Sequence, residues 1–229
     1  MSQTLLALAC FAMTLVCYYG AKKLYRRHKS WWRAPILLAP VTLMVLVMLL
    51  KIPLPVYFEY THYLVALLAP ATIAFALPIY RERALICRYP LTISLGVLAG
   101  LSLGLGTTWL LVQLVQLPSD LSHSILVRSV STPFALAAVH SFGGVPELTA
   151  MLVLATGVIG MLVSEPLFKL ARIKSAIGKG CALGASAHGA GAAKASEIGQ
   201  QEGVIASLTM IFTGISMVLG APVFAGWLS

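Results

Sequence analysis

The sequence predicts an all-α protein, a polytopic transmembrane helical bundle with seven or eight membrane segments. Of its 229 residues, 59% are hydrophobic and only 10% are charged, and the mean hydropathy is +0.91. Soluble domains carry about 25% charged residues. Apolar runs close to the ~20 residues that a bilayer-spanning helix needs recur along the whole chain. We therefore expect a single integral membrane domain over residues 1–229.

Each apolar run, bounded by charged or turn-forming residues, is a predicted membrane segment. The segments cover residues 4–20, 35–50, 63–80, 91–115, 125–142, 148–167, 177–199 and 204–228. Residues 51–62, rich in proline and aromatic side chains, are expected to form an interfacial connection. In the fourth segment, Gly96, Gly100 and Gly104 have the GxxxG spacing that permits close helix packing. That spacing is compatible with a homodimer but does not require one.

The net charge of +9 is concentrated between apolar runs, which favours a membrane loop over nucleic-acid binding. Basic residues in short loops mark the cytoplasmic side, and Trp31 and Trp32 suit the headgroup level. We therefore expect the N-terminus outside. Six of the sixteen basic residues lie in the first loop: Lys22, Lys23, Arg26, Arg27, Lys29 and Arg33.

A second basic patch, residues 169–179, tests this topology. If every segment crosses, the patch falls outside, against the charge rule. One earlier segment should therefore fail to cross. The candidate is 125–142, because Pro133 removes a backbone donor in mid-run and Gly143 with Gly144 allows a sharp turn. The alternative is a kinked full crossing with a basic outer loop.

The segment 177–199 consists mostly of glycine, alanine and serine, with His188, Lys194 and Glu197 inserted. Ionisable groups inside a membrane are expensive and usually face a cavity or a partner. A histidine can relay protons, and a lysine can pair with a carboxylate three residues away. His188 and Lys194 converge only if the backbone breaks near Gly189 and Gly191. The alternatives are a hydrogen-bonded core histidine and an ordinary surface ion pair.

Two proline-containing runs, 68–78 and 129–140, show a weak similarity that hints at an internal repeat. Transporters use broken helices to hold anionic substrates near the membrane midplane. Hydroxyl groups of Thr72, Ser131 and Thr132 are candidate donors. Ordinary proline kinks explain the same pattern.

Arg128, about one turn before Ser131, either neutralises a substrate carboxylate or extends to the interface. Glu165, beside Pro166, is a weaker candidate, placed at a helix end. The four cysteines form no CxxC pair, and no metal, nucleotide or hydrolase motif is present. We therefore expect neither an enzyme nor a cofactor or metal site.

Several stretches resemble the LrgB/CidB family of bacterial membrane proteins. They are SVSTPFALAAVHSFGGVPELTA, TGVIGMLV, LLAPATIAFALPIYRER and IKSAIGKGCALGASAHGAGAAKASEIGQQEG. The most specific element is the pattern GxSxHGxGxxKxxExG. The resemblance covers residues 60–229 well, and the first 60 by hydropathy alone.

The resemblance implies a multi-pass protein of the bacterial inner membrane. The family is described as regulators of murein hydrolases, with holin-like and antiholin-like roles and a small LrgA/CidA-type membrane partner. A chloroplast relative exchanges glycolate and glycerate, and some bacterial relatives are implicated in pyruvate transport. The positions that match family motifs are Pro70, Thr72, Thr132, Pro133, Gly184, Ser186, His188, Gly189, Lys194 and Glu197.

The leading hypothesis is a secondary transporter of small monocarboxylates, coupled to protons. Hydroxyl groups and helix ends would hold the anion, with Lys194 or Arg128 supplying positive charge. His188 and Glu197 would couple the proton. The alternative is a channel or lysis modulator that acts through a partner subunit. The sequence leaves the substrate, the coupling ion and the direction of transport open.

Overall fold

A computed structural model describes residues 3–27, 30, 33–74 and 76–228, and these residues form helices and connections without any strand. The helices are α1 (Gln3–Arg27), α2 (Pro35–Leu49), α3 (Leu54–Ala66), α4 (Leu68–Ala74), α5 (Ala76–Arg81), α6 (Arg83–Arg88), α7 (Pro90–Val115), α8 (Ser119–Leu126), α9 (Thr132–Ala138), α10 (Pro146–Leu170), α11 (Ala176–Ile198) and α12 (Gln200–Leu228). A 3-10 turn, Val139–Phe142, extends α9. The predicted all-helical class is confirmed.

Among the described residues, five stretches are long and apolar enough to cross a membrane: α1, the stretch Leu54–Arg81, α7, α10 and α12. The shorter α2 is also apolar. The chain divides into two compact units, residues 1–71 and 72–229. The predicted segments 125–142 and 177–199 are not uninterrupted helices, and both lie in the second unit.

In the first unit, Ala7 and Cys10 of α1 are buried, and the hydroxyl groups of Thr14 and Tyr57 lie 3.1 Å apart. The stretch 51–62, predicted to be an interfacial connection, is helical from Leu54 onward, where α3 begins. Prolines at the N-terminus of α3 are compatible with a helix because first-turn N–H groups have no helical partner. Lys29, Trp31 and Trp32, for which the sequence predicts a basic loop at the headgroup level, lie outside the described residues, as does residue 75 of the first proline run.

Residues 119–142 form a helical hairpin, which we call hairpin 1. Its arms are α8 and α9 with the 3-10 turn, and its tip is the non-helical stretch 127–131. The chain returns beside its start, because the N–H of Val145 donates to the Ser124 hydroxyl at 2.8 Å. Pro133 lies in the first turn of α9, after the tip, where a missing N–H costs little.

Helix α11 is also a hairpin, called hairpin 2, with arms 176–187 and 189–198 and its tip at His188. The tip has φ +46° and ψ −122°, which no α-helix contains. Beyond it, Gly191 lies against the backbone of Leu183. In a continuous helix these two residues would be about 12 Å apart along the axis. Hairpin 2 therefore enters the bundle and returns to the same end.

Three long helices, α7, α10 and α12, pack around hairpin 2 at positions without a Cβ. A methyl group on Gly100 would lie 2.6 Å from the Cβ of Ala185, and one on Gly160 would lie 2.8 Å from the Cβ of Ala187. The backbone of Gly184 abuts Ala206 of α12. The GxxxG face of α7 is therefore used within the chain.

The two hairpins enter from opposite ends of this unit. Helix α10 starts beside Ser124 in hairpin 1, where Thr149 donates to its carbonyl oxygen. It ends beside Lys179 and Ile198, at the base of hairpin 2. We call these ends the first and second face. The arm 176–187 is about 18 Å long, which is just over half of a hydrocarbon core about 30 Å thick, so we expect His188 near the middle of the membrane.

Candidate functional site at the meeting of the hairpin tips

The tips of the two hairpins meet inside the second unit. The backbone of Ser129, in the tip of hairpin 1, interacts with the imidazole of His188. Gly104 of α7 lies against Ser129, where a methyl group would be 2.6 Å from the serine Cβ. From α10, Gly157 approaches the same imidazole. The site is thus built by two chain breaks and the midpoints of two crossing helices.

Arg128 is the cation of this site. Its Nε donates to the hydroxyl of Thr108 at 3.0 Å, and its Nη1 to that of Thr156 at 3.5 Å. Thr108 is fully buried, and Arg128 is half-buried. No carboxylate of a described residue lies within 4.0 Å of the guanidinium. Because a cation held only by hydroxyls in a membrane interior is costly, the site favours an anion.

Three buried polar side-chain atoms in the two hairpin tips have no hydrogen-bond partner among the described residues: the Oγ atoms of Ser129 and Ser131, and Nε2 of His188. His188 is 2% exposed and Ser131 is 7% exposed. Buried polar atoms in folded proteins are nearly always hydrogen-bonded. The two hairpin tips are therefore the candidate place for a polar ligand or water that would supply the missing partners.

The backbone break falls on His188 itself, one residue before the glycines at which the sequence analysis expected it. A positive φ is uncommon for a non-glycine residue, and such conformations cost about 1–3 kcal/mol. Strain of this kind concentrates at functional sites. The residue that turns the chain back is thus the residue that presents the unpartnered Nε2 atom.

Other predicted ligands lie elsewhere or remain predictions. Ser186 is exposed and donates to the Ala182 carbonyl at 2.7 Å. Thr132 is the half-buried first residue of α9. The structure describes only the backbone of Thr72, in α4, so its proposed role stays a prediction. Pro70 is exposed in the same helix.

Lys194 pairs with carboxylates at the base of hairpin 2 and does not supply the charge at the tips. Its Nζ lies 2.6 Å from Glu165 of α10 and 3.6 Å from Glu197. The pairing with Glu197 follows from the spacing of the two residues. Glu165 received little weight from the sequence because it lies beside Pro166 near a predicted helix end, and its partner in the structure is 29 positions away. It ties the returning arm of hairpin 2 to α10.

The predicted glycines fall into two classes. Gly184 and Gly191 allow backbone contact, the first with Ala206 of α12 and the second across the hairpin with Leu183. At Gly189, by contrast, a methyl group would meet no atom within 4 Å.

Sequence reasoning missed Ser129, Thr108 and Thr156. Each is a hydroxyl residue in an apolar context. Thr108 and Thr156 lie within predicted membrane segments, and Ser129 lies in the proline run 129–140. These positions were the available signal.

These features define a class, the multi-pass helical membrane proteins with a polar site between two broken helices. Residues 14–227 match the model of the LrgB-like family, and the chain belongs to that family.

Three relatives come from Bacillus subtilis (strain 168). The uncharacterized protein YwbG is 35% identical over 210 residues, which are 92% of this chain and 93% of the relative. The uncharacterized protein YxaC is 29% identical over 94% of each chain. The antiholin-like protein LrgB is 34% identical over 69% of this chain and 68% of its own. No solved structure matches the chain.

Proposed function

We propose that this protein is a secondary transporter of small monocarboxylates. The observation that carries the proposal is Arg128, a cation without a carboxylate partner among the described residues, together with three unpartnered polar atoms in the two hairpin tips. A carboxylate would neutralise the guanidinium and accept from the serine hydroxyls. The unpartnered imidazole atom would contact the rest of a short 2-oxo or 2-hydroxy acid, or carry a coupled proton.

Opposed hairpins also suit access from two sides. A cavity of about 450 Å³ lies at the base of hairpin 1, between His123, Phe142 and Pro222. Another of about 440 Å³ lies at the base of hairpin 2, between Glu165, Lys179 and Ile198. Each hairpin separates one cavity from the tips. Movement of one hairpin at a time would expose the site to one face at a time, as alternating access requires.

The cation of the proposed mechanism is Arg128 and not Lys194, because the charge of Lys194 is already balanced by Glu165 and Glu197. The ion pair with Lys194 keeps Glu197 at the base of hairpin 2. Protonation of Glu197 would therefore affect the attachment of hairpin 2 to α10. His188 remains the proposed proton carrier at the site.

The test is uptake of labelled glycolate and pyruvate into proteoliposomes that hold the purified protein and a trapped dye. We expect saturable uptake with the dye retained. Arg128→Gln should lower uptake about 100-fold, because the substrate loses its charge partner inside a dry site. His188→Ala should insert normally yet lose most transport.

A pair of serines provides the matched control. Ser131→Ala removes an unpartnered hydroxyl at the tip and should lower uptake by about threefold to tenfold. Ser186→Ala removes an exposed hydroxyl bonded to its own helix and should leave uptake unchanged. Equal uptake by Arg128→Gln and the unmodified protein would refute the assignment.

The second candidate is an antiholin-like modulator of murein hydrolase activity, acting with an LrgA/CidA-type partner. It is favoured by the relative named antiholin-like protein LrgB. In that case, the purified protein should show no saturable uptake, and any release of the dye should require the partner. The lone cation at the hairpin tips favours the transporter.

A further inference from the structure

The cavity at the base of hairpin 2 carries a cluster of cations distinct from the tip site. It is lined by Lys169, Arg172, Lys174 and Lys179, together with Glu165. The carboxylate of Glu165 is 2.6 Å from Lys194, so its charge is already engaged. None of the four cations lies within 4.0 Å of a carboxylate of any described residue. The cavity therefore holds an excess of positive charge.

The depth of the cavity indicates what neutralises that charge. Helix α10 has 25 residues and is about 37 Å long, which exceeds a hydrocarbon core of about 30 Å. Its C-terminal end therefore reaches the headgroup level.

The walls of the cavity are apolar as well as basic. Phe168, Ile173 and Ile198 line it between the cations. A soluble anion needs only the charges, whereas a phospholipid presents a phosphate group and the upper part of its acyl chains together. Basic pockets between membrane helices are known to hold anionic headgroups.

We propose that this cavity binds the headgroup of an anionic phospholipid at the base of hairpin 2. The lipid phosphate lies among the four cations, and its glycerol backbone packs against the apolar wall. Because both arms of hairpin 2 end at this cavity, the bound lipid holds the base of the hairpin against α10. The site stands whether or not the protein transports carboxylates.

The experiment titrates detergent-purified protein with phosphatidylglycerol and with phosphatidylcholine and counts retained lipids by native mass spectrometry. Glycerol phosphate and inorganic phosphate are the soluble probes. The unmodified chain should retain phosphatidylglycerol at least tenfold more tightly. The variant Arg172→Gln with Lys179→Gln should lose about tenfold to thirtyfold, since each basic residue contributes about fivefold. Lys169→Gln and Lys174→Gln added to it should abolish the preference.

Arg83 and Arg88 supply the matched control. They precede α7, which crosses once before hairpin 1 and α10, so they lie at the same second face. Each guanidinium rests on a tyrosine ring, at 4.5 Å and 5.5 Å from its centroid. Arg83→Gln with Arg88→Gln should keep the lipid preference.

Two results would overturn the proposal. One is an equal loss of phosphatidylglycerol in the control and cavity variants, which would show non-specific attraction to basic loops. The other is displacement of the lipid by glycerol phosphate at similar concentrations, which would identify a soluble phosphate ligand. Circular dichroism of each variant confirms folding, and the double variant serves if the quadruple one does not fold.

Discussion

The two hairpins break a helix in different ways. Hairpin 1 unwinds over residues 127–131, whose side chains are buried except for the half-buried Arg128. Hairpin 2 reverses at the single residue His188, with arms of small residues that touch each other and three neighbouring helices. The first break supplies charge and hydroxyls, and the second supplies an imidazole held in a strained backbone. The polar site is thus assembled from one tip of five non-helical residues and one tip of a single residue.

The largest expected effect is on cysteine labelling, which tests the face from which each hairpin enters. An introduced cysteine reacts with an impermeant reagent from one side of the membrane and not from the other. In a chain with Cys10, Cys17, Cys87 and Cys181 replaced, Asp120→Cys and His140→Cys should react with an impermeant maleimide from one side. Ser175→Cys and Gln200→Cys should react from the opposite side. A hairpin that crosses would place the two members of a pair on different sides.

The next effect tests the tight packing of hairpin 2. Gly184→Leu forces a side chain into the backbone of Ala206 and should reduce the free energy of unfolding by at least about 3 kcal/mol. Gly189→Leu places the same side chain in open space and should change it by about 0.5 kcal/mol or less. Unfolding in detergent by a denaturant series measures both. Similar losses in the two variants would show that the hairpin is not packed as described.

A smaller effect isolates the strain at the tip of hairpin 2. His188→Gly and His188→Ala both remove the imidazole, but only glycine adopts the φ of +46° easily. The glycine variant should therefore be more stable than the alanine variant by about 1–3 kcal/mol. Neither should transport. An alanine variant as stable as the glycine variant would mean that the tip is a relaxed kink.

The smallest effect concerns the attachment of hairpin 2 to α10. Lys194→Gln removes an ion pair whose carboxylate partner Glu165 is half exposed, and such pairs contribute about 1 kcal/mol or less. Unfolding should shift by no more than that, and substrate affinity should stay within about threefold. A loss as large as that of Arg128→Gln would move the substrate cation to the base of hairpin 2.

The sequence predicted the long helices because hydrophobicity over about 20 residues determines them, as α7, α10 and α12 show. Charge parity also drew attention to 125–142, which folds as hairpin 1. The reversal of 177–199 was not predicted, because a glycine-rich helix and a glycine-rich hairpin have the same composition. Glycine marked a flexible region, but tertiary contacts placed the turn on His188.

The candidate site was predicted in part. His188, Arg128 and Ser131 were singled out, and the structure brings their chain breaks together. Thr108 and Thr156 were missed because hydroxyls bonded back to their own helices are common in membrane segments. The pairing of Lys194 with Glu165 depends on the return path of the hairpin. No local pattern encodes that path.

The small side chains of hairpin 2 also affect how the protein is made. Among the described helices longer than 20 residues, α11 does not meet the apolarity of a membrane span. A translocon releases segments into lipid according to their own hydrophobicity. We therefore expect residues 176–198 to enter the membrane only when α7, α10 and α12 are in place to pack against them at the glycine contacts. We expect insertion to proceed out of sequence order, with α12 inserting before the hairpin that precedes it.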